Sequence, residues 1–224
     1  METAVVPTKN EQRAAAGGLL FVTLAVVWGI IAAHAPDAAT PAARIDAYFF
    51  DRAQRAHLVL AGWALAFAGI GLLVFAAALR SWLRRVDGTS ALPAIVFGAA
   101  IVLVATLFAK NAVLTAAAAV YDDAPYFRLD AGVYKVLRTI ASWLLAEEVM
   151  TGGVMAAAVS HVAVRTRVLP RALAWAGFGV AALCLLAIPF RAVASIALLA
   201  WILAVSLLMF SPPRGSRVTR ASGS

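Results

Sequence analysis

The sequence predicts an all-α protein: a polytopic transmembrane helical bundle of six spans joined by short loops. Three observations lead there. Of 224 residues, 63% are hydrophobic and only 13% are charged, with a mean hydropathy of +0.89. A soluble domain of this length has no core large enough to hide that much apolar surface, whereas lipid covers it. Six apolar runs, at approximately 15–35, 57–79, 92–120, 136–163, 171–189 and 192–210, reach the roughly 20 residues that a helix needs to cross hydrocarbon. The runs are uniformly apolar rather than alternating, which argues against a membrane barrel. In lipid each backbone must satisfy its own polar groups, so each run is a helix.

The net charge is +8, but the basic residues sit in short loops and tails between apolar runs. They are read as topology determinants, and no nucleic-acid partner is expected. Placing the N-terminus in the cytoplasm puts Lys9, Arg13, Arg80, Arg84, Arg85, Arg165, Arg167, Arg171, Arg214, Arg217 and Arg220 inside. Arg44, Arg52, Arg55, Arg128, Lys135, Arg138 and Arg191 then fall outside, a bias of 11 to 7. By the positive-inside rule both chain ends are cytoplasmic, in a cell-membrane protein.

Residues 1–14 form the cytoplasmic N-terminal segment. The first run has two readings. Lys9 and Arg13 precede it and Ala33-His34-Ala35 follows it, as in a cleavable signal peptide; its length of about 20 residues exceeds a usual signal core, so an uncleaved span is expected. Outer loop one, about 36–56, holds Pro36 and Pro41, and its stretch Ala42 to Arg55 is expected as a short interfacial helix. The second and third runs follow. Tyr121 to Tyr134 is acidic and aromatic, read as an aromatic belt, with a lid over an outward-opening cavity as the alternative. The fourth run follows, and Pro170 then stands at a helix start, where its missing N–H costs little. Pro189-Phe190-Arg191 makes a tight hairpin between the last two spans. Residues 211–224 are Ser-, Pro-, Gly- and Arg-rich and read as a disordered basic tail. No polar stretch is long enough for a domain beyond the bundle at 15–210.

Three boundary motifs carry a resemblance: Thr166-Arg167-Val168-Leu169-Pro170-Arg171-Ala172-Leu173-Ala174-Trp175-Ala176-Gly177 opening the fifth span, Leu79-Arg80-Ser81-Trp82-Leu83-Arg84-Arg85 closing the second, and Trp201-Ile202-Leu203-Ala204-Val205-Ser206 in the last. With them, most of residues 18–210 resembles a broad actinobacterial family of uncharacterised six-span membrane proteins, a domain of unknown function. The resemblance implies a six-helix fold and brings no activity or site residues.

Ionisable groups inside hydrocarbon cost about 2.5–3.5 kcal/mol each on insertion scales and are functional candidates by default. Three stand out: Lys110 in the third run, and Glu147 and Glu148 in the fourth. The two spans are antiparallel neighbours, and a rise of 1.5 Å per residue sets amine and carboxylates at similar depth. An ion pair is therefore expected. Thr106, Lys110, Asn111 and Thr115 fall on one broad face of the third span. On the fourth, Glu147 shares a face with Trp143 and Thr151, while Glu148 points about 100° away. One glutamate pairs with Lys110; the other, beside a like charge in an apolar setting, is the candidate proton donor. The ligand-binding candidates are Lys110, Asn111, Thr106, Trp143 and Thr151; the catalytic candidates are Glu147 and Glu148. A buried Lys–Glu pair can also simply fix the register of two helices.

His34 and His57 lie near Asp37, Asp46 and Asp51, but without tight ligand spacing. They are read as interfacial anchors, and no metal is expected. The single cysteine, Cys184, makes neither disulfide nor cluster, and no cofactor motif is present. Gly152, Ala156 and Ser160 repeat every four residues, as do Gly153, Ala157 and His161. Such faces let helices approach closely, predicting tight packing of the fourth span on its neighbours or a homo-oligomer.

Three functional classes fit. The first binds or moves a small amphiphilic, lipid-like ligand through the Lys/Glu site. The second is a membrane-embedded enzyme on a lipid or isoprenoid substrate, terpene-cyclase-like, with a glutamate as general acid. The third is a structural or regulatory membrane subunit.

Overall fold

The computed structural model describes residues 6–88, 90–123, 130–186 and 190–211. These are almost entirely helical: α1 (Lys9–Ala32), α2 (Ala42–Phe50), α3 (Arg52–Val86), α4 (Leu92–Asp123), α5 (Ala131–Thr166), α6 (Arg171–Leu186) and α7 (Arg191–Phe210). The six longer helices run alternately up and down. Consecutive ones pack together, and α1 packs on both α3 and α7, so they close into a ring. The near face of the ring is where α1 begins; the far face carries α2.

Local chemistry sets the helix ends. Thr8 and Glu11 form a reciprocal capping box at α1, satisfying backbone donors that the first turn leaves open. The Ser90 hydroxyl accepts from Leu92 N–H at 3.0 Å at the start of α4. Asp130 caps α5 through Gly132 N–H at 2.7 Å and Val133 N–H at 3.2 Å. Arg167 ends α5 at φ 55, the left-handed turn that stops a helix, and α6 starts just past Pro170. The helix expected over Ala42–Arg55 ends at Phe50. Asp51 is extended there, and its carboxylate accepts from Ala53 N–H at 2.8 Å. One residue thus stops α2 and caps α3, which redirects the chain from the far face into the bundle.

Four helices are long and apolar enough to cross a membrane: Lys9–Ala32, Arg52–Val86, Leu92–Tyr121 and Arg191–Phe210. The other two expected spans fall short for different reasons. Helix α5 has 36 residues, but Glu147, Glu148, Thr151 and a glycine pair dilute its hydropathy. Helix α6 is described over 16 residues, fewer than the roughly 20 needed, and Ala187 to Pro189, which follow it directly, lie outside the described residues, as do Tyr126, Phe127, Arg128 and the tail from 212.

Small residues hold the ring tight. A Cβ on Gly71 would lie 2.7 Å from the Gly17 carbonyl oxygen, so α1 and α3 touch backbone to backbone. On α5, a Cβ at Gly153 would meet Cys184 and the Ala181 carbonyl of α6, and one at Gly152 would strike Leu198 of α7. The small-residue faces of α5 are thus used within the chain. At the near face Glu11, itself buried, forms an ion pair with Arg85 of α3. At the far face Phe49 of α2 stacks on Tyr121 and meets Tyr134 edge-on, and the Tyr134 hydroxyl donates to Pro36 O at 2.6 Å. Tyr121 and Tyr134 therefore pack into a small aromatic core beneath α2.

Candidate functional site

The interior face of α5 reads Arg138, Ala141, Leu145, Glu148 and Gly152, spaced three or four residues apart, so these side chains stack along one helical stripe. Helix α4 brings Lys110 and Leu114, one turn apart, to the same space. Helix α1 adds Trp28 and Ala32, also one turn apart.

The stripes meet at a buried ion pair. Lys110 Nζ donates to Glu148 Oε2 at 2.6 Å, with side-chain exposures of 4% and 9%. The ammonium also sits 4.6 Å from the centroid of the Trp28 ring, within the range of cation–π attraction. Three helices, α1, α4 and α5, therefore converge on one charge. Glu148 Oε1 is buried with no hydrogen-bond partner among the described residues.

Above the pair a cavity of about 530 Å³ opens toward the far face, within the usual range for small-molecule sites. Its floor includes Lys110 and Trp28, its wall Leu114, Ser142 and Leu145, and its rim Asp37, Arg138 and Arg191. Arg138 lies ten residues before Glu148 on one helix, so the cavity descends roughly 15 Å toward the pair. Glu148 stands behind Lys110 and does not line the cavity. Asp37 is held by a local turn: its Oδ1 accepts from the Thr40 hydroxyl at 2.7 Å and from Ala39 N–H at 3.0 Å. The Thr40 hydroxyl first, then these backbone donors and Arg138, hold its carboxyl below the usual carboxylate range.

The expected residues separate. Lys110 and Glu148 come together. Glu147 is exposed on the outside of the bundle, one residue and about 100° away, so the two acids do not share a site. Trp143 is 64% exposed on that outer side. The Thr151 hydroxyl donates back to the Glu147 and Glu148 carbonyls, and that of Thr106 to Val102 and Leu103; both stay within their own helices. Asn111 turns to α3, where its Nδ2 donates to Gly62 O at 3.0 Å. It lines a separate groove of about 400 Å³ on the outside of the bundle with Trp63 and Phe108. The broad polar face read on the third span is thus split between two partners, because adjacent residues on a helix diverge. His34 Nδ1 donates locally to Ile30 O at 2.9 Å, and His57 is exposed. Among the described residues no three His, Cys, Asp or Glu side chains gather around a point.

The sequence reading missed Trp28, Asp37, Arg138 and Arg191 as parts of this site. Arg138 had a signal, since it shares the three-and-four spacing that leads to Glu148. Trp28, Asp37 and Arg191 come from elements distant in sequence, and only ring closure delivers them.

No protein-family model, curated protein or solved structure matches the chain.

Proposed function

We propose that the chain crosses the cell membrane six times, with both ends cytoplasmic, and binds a small amphiphilic ligand in the cavity above Lys110. The ring supports the six spans: α5 and α6 complete it between helices that are themselves apolar enough to cross. In a ring, a helix buries its polar face against its neighbours, so α5 can carry Glu148 at mid-depth. Near-face residues Lys9, Arg13, Arg84, Arg85, Arg165 and Arg171 support a cytoplasmic near face.

One observation carries the functional reading: Lys110 is both half of a buried ion pair and part of the cavity floor. A purely structural pair needs no access. Here an open recess leads from the far face to a polar floor with apolar walls, the surface an amphiphile matches. Acid catalysis has less support, because Glu148 is not on the cavity wall and Glu147 faces outward.

Native mass spectrometry of the purified chain tests the reading. Ser142 lines the cavity, and Ser142→Trp fills it. Wild type is expected to retain a small amphiphile that Ser142→Trp has lost while keeping its thermal midpoint. Equal ligand content in both proteins would overturn the proposal.

A further inference from the structure

The rim of the cavity holds two guanidinium groups and one carboxylate, Asp37. Arg138 on α5 and Arg191 at the start of α7 are both half-buried and both line the cavity. Among the described residues neither guanidinium makes a hydrogen bond or salt bridge, although Arg138 is near enough to Asp37 to lower its pKa. The nearby acids are already engaged: Asp37 with the Thr40 hydroxyl and Ala39 N–H, and Glu148 with Lys110. Three cations and one carboxylate therefore line a single recess. Arg138 also lines an adjoining recess of about 380 Å³ together with Arg44 and Asp37.

Half-buried cations without counter-ions are unfavourable, and an anion restores the balance. The type of anion follows from the donors. Each guanidinium presents a planar fork suited to two oxygens at once. A carboxylate has two oxygens and satisfies one fork. A phosphate monoester has three terminal oxygens and up to two negative charges, so it can answer both. Below the rim the wall is apolar at Leu114, Leu145 and Trp28, down to a Lys110 floor whose charge Glu148 already answers, and this suits a hydrocarbon chain rather than a second charge.

We propose that the ligand is a phosphate monoester of an amphiphile, its phosphate held between Arg138 and Arg191 and its chain lying over Trp28, Leu114 and Leu145. The proposal rests on reading the cavity as a ligand site, and deepens it by assigning the headgroup. Its partner chemistry can come from a lipid headgroup or from free phosphate, and these are separable.

The full chain, purified in a neutral detergent, is titrated with dodecyl phosphate, dodecanoate and inorganic phosphate, and binding is counted by native mass spectrometry. The expected result is one dodecyl phosphate per chain, bound at least about tenfold more tightly than dodecanoate or inorganic phosphate. Arg138→Gln and Arg191→Gln should each weaken dodecyl phosphate by about tenfold or more, as expected for loss of a charge-assisted hydrogen bond. Arg138→Lys, which keeps the charge and loses the fork, should fall between. Thermal midpoints within a few degrees of wild type show that the variants are folded.

Equal binding of dodecanoate and dodecyl phosphate, unmoved by either Arg variant, overturns the phosphate assignment and leaves the cavity reading standing if Ser142→Trp still abolishes both. Inorganic phosphate binding as tightly as dodecyl phosphate overturns the amphiphile. Binding of dodecyl phosphate that Ser142→Trp does not affect marks headgroups adsorbed on the far face, and overturns the cavity reading with it.

Discussion

Lys110 and Glu148 meet across α4 and α5 with 2.6 Å between Nζ and Oε2, and the Trp28 ring of α1 closes over the same ammonium at 4.6 Å. The two ions are taken out of water together, so the cost of each is offset by the other. That balance is lost when one is neutralised. Glu148→Gln leaves a buried ammonium and Lys110→Met leaves a buried carboxylate, and each should destabilise by about 3–5 kcal/mol. The double variant Lys110→Met/Glu148→Leu removes both charges and should lie much nearer to wild type. Unfolding of all four proteins in one detergent measures this. A double variant as unstable as the worse single variant would mean that the pair is not the source.

Helix α1 starts with a second, independent device. The Thr8 hydroxyl accepts from Glu11 N–H, and Glu11 Oε2 accepts from Thr8 N–H at 2.8 Å while also pairing with Arg85. Thr8→Ala should cost about 1 kcal/mol, the usual loss for a helix cap. Glu11→Ala should cost more, since it removes the cap and the tie to α3 together. Hydrogen exchange at residues 9–14 should quicken in both variants, and more so in Glu11→Ala. Equal protection in wild type and both variants would contradict the capping role.

Much of this architecture was legible in the sequence, for physical reasons. Helix positions follow from apolar runs, because an apolar run can bury its backbone polar groups only by bonding them within itself. The pairing of Lys110 with a glutamate followed from depth on antiparallel neighbours. The identity of that glutamate did not: Glu147 and Glu148 differ only in azimuth, and azimuth is set by what surrounds α5. Small residues at Gly152, Gly153 and Ser160 mark the packed side, and that side is the side of Glu148. Reading those glycines together with the acids would have chosen Glu148. Of the cavity rim only Arg138 was within reach, through its spacing to Glu148, because Asp37 and Arg191 come from elements distant in sequence that only the closed ring brings beside it. The break at Asp51 was missed for another reason: a residue that both ends one helix and caps the next leaves an unbroken apolar-amphipathic pattern on either side.

Glycine positions offer a paired test of the packing. At Gly153 of α5, an added Cβ would lie 2.8 Å from Cys184 Cβ and 3.3 Å from the Ala181 carbonyl oxygen. The second of these is backbone and cannot rotate away. Gly153→Ala should therefore push α5 and α6 apart and cost about 1–3 kcal/mol, as overpacking does. Gly98 of α4 has open space around the same position. There Gly98→Ala should stabilise by up to about 1 kcal/mol through helix propensity alone. Opposite signs for one chemical change, read as shifts in thermal midpoint, would support the packing. Like signs would refute it.

Asp37 links the rim of the cavity to pH. It lies in the turn after α1, outside any helix, and the Thr40 hydroxyl is the main cause of its lowered pKa, with Ala39 N–H and Arg138 adding to it. A carboxyl whose pKa is lower in the folded state binds its proton more weakly there than in the unfolded chain. Its contribution is thus fully present above the unfolded value of about 3.9 and is lost as pH falls through the lower folded value. The turn over residues 37–40 should hold at neutral pH and open only in strong acid. Thr40→Val removes the strongest of these bonds, so Asp37 should titrate at a higher pH in that variant. Carbonyl-carbon NMR of the Asp37 side chain would show the midpoint directly. An unchanged midpoint in Thr40→Val would leave the shift to the Ala39 and Thr40 N–H groups and to Arg138, and Arg138→Gln would separate the last from the other two.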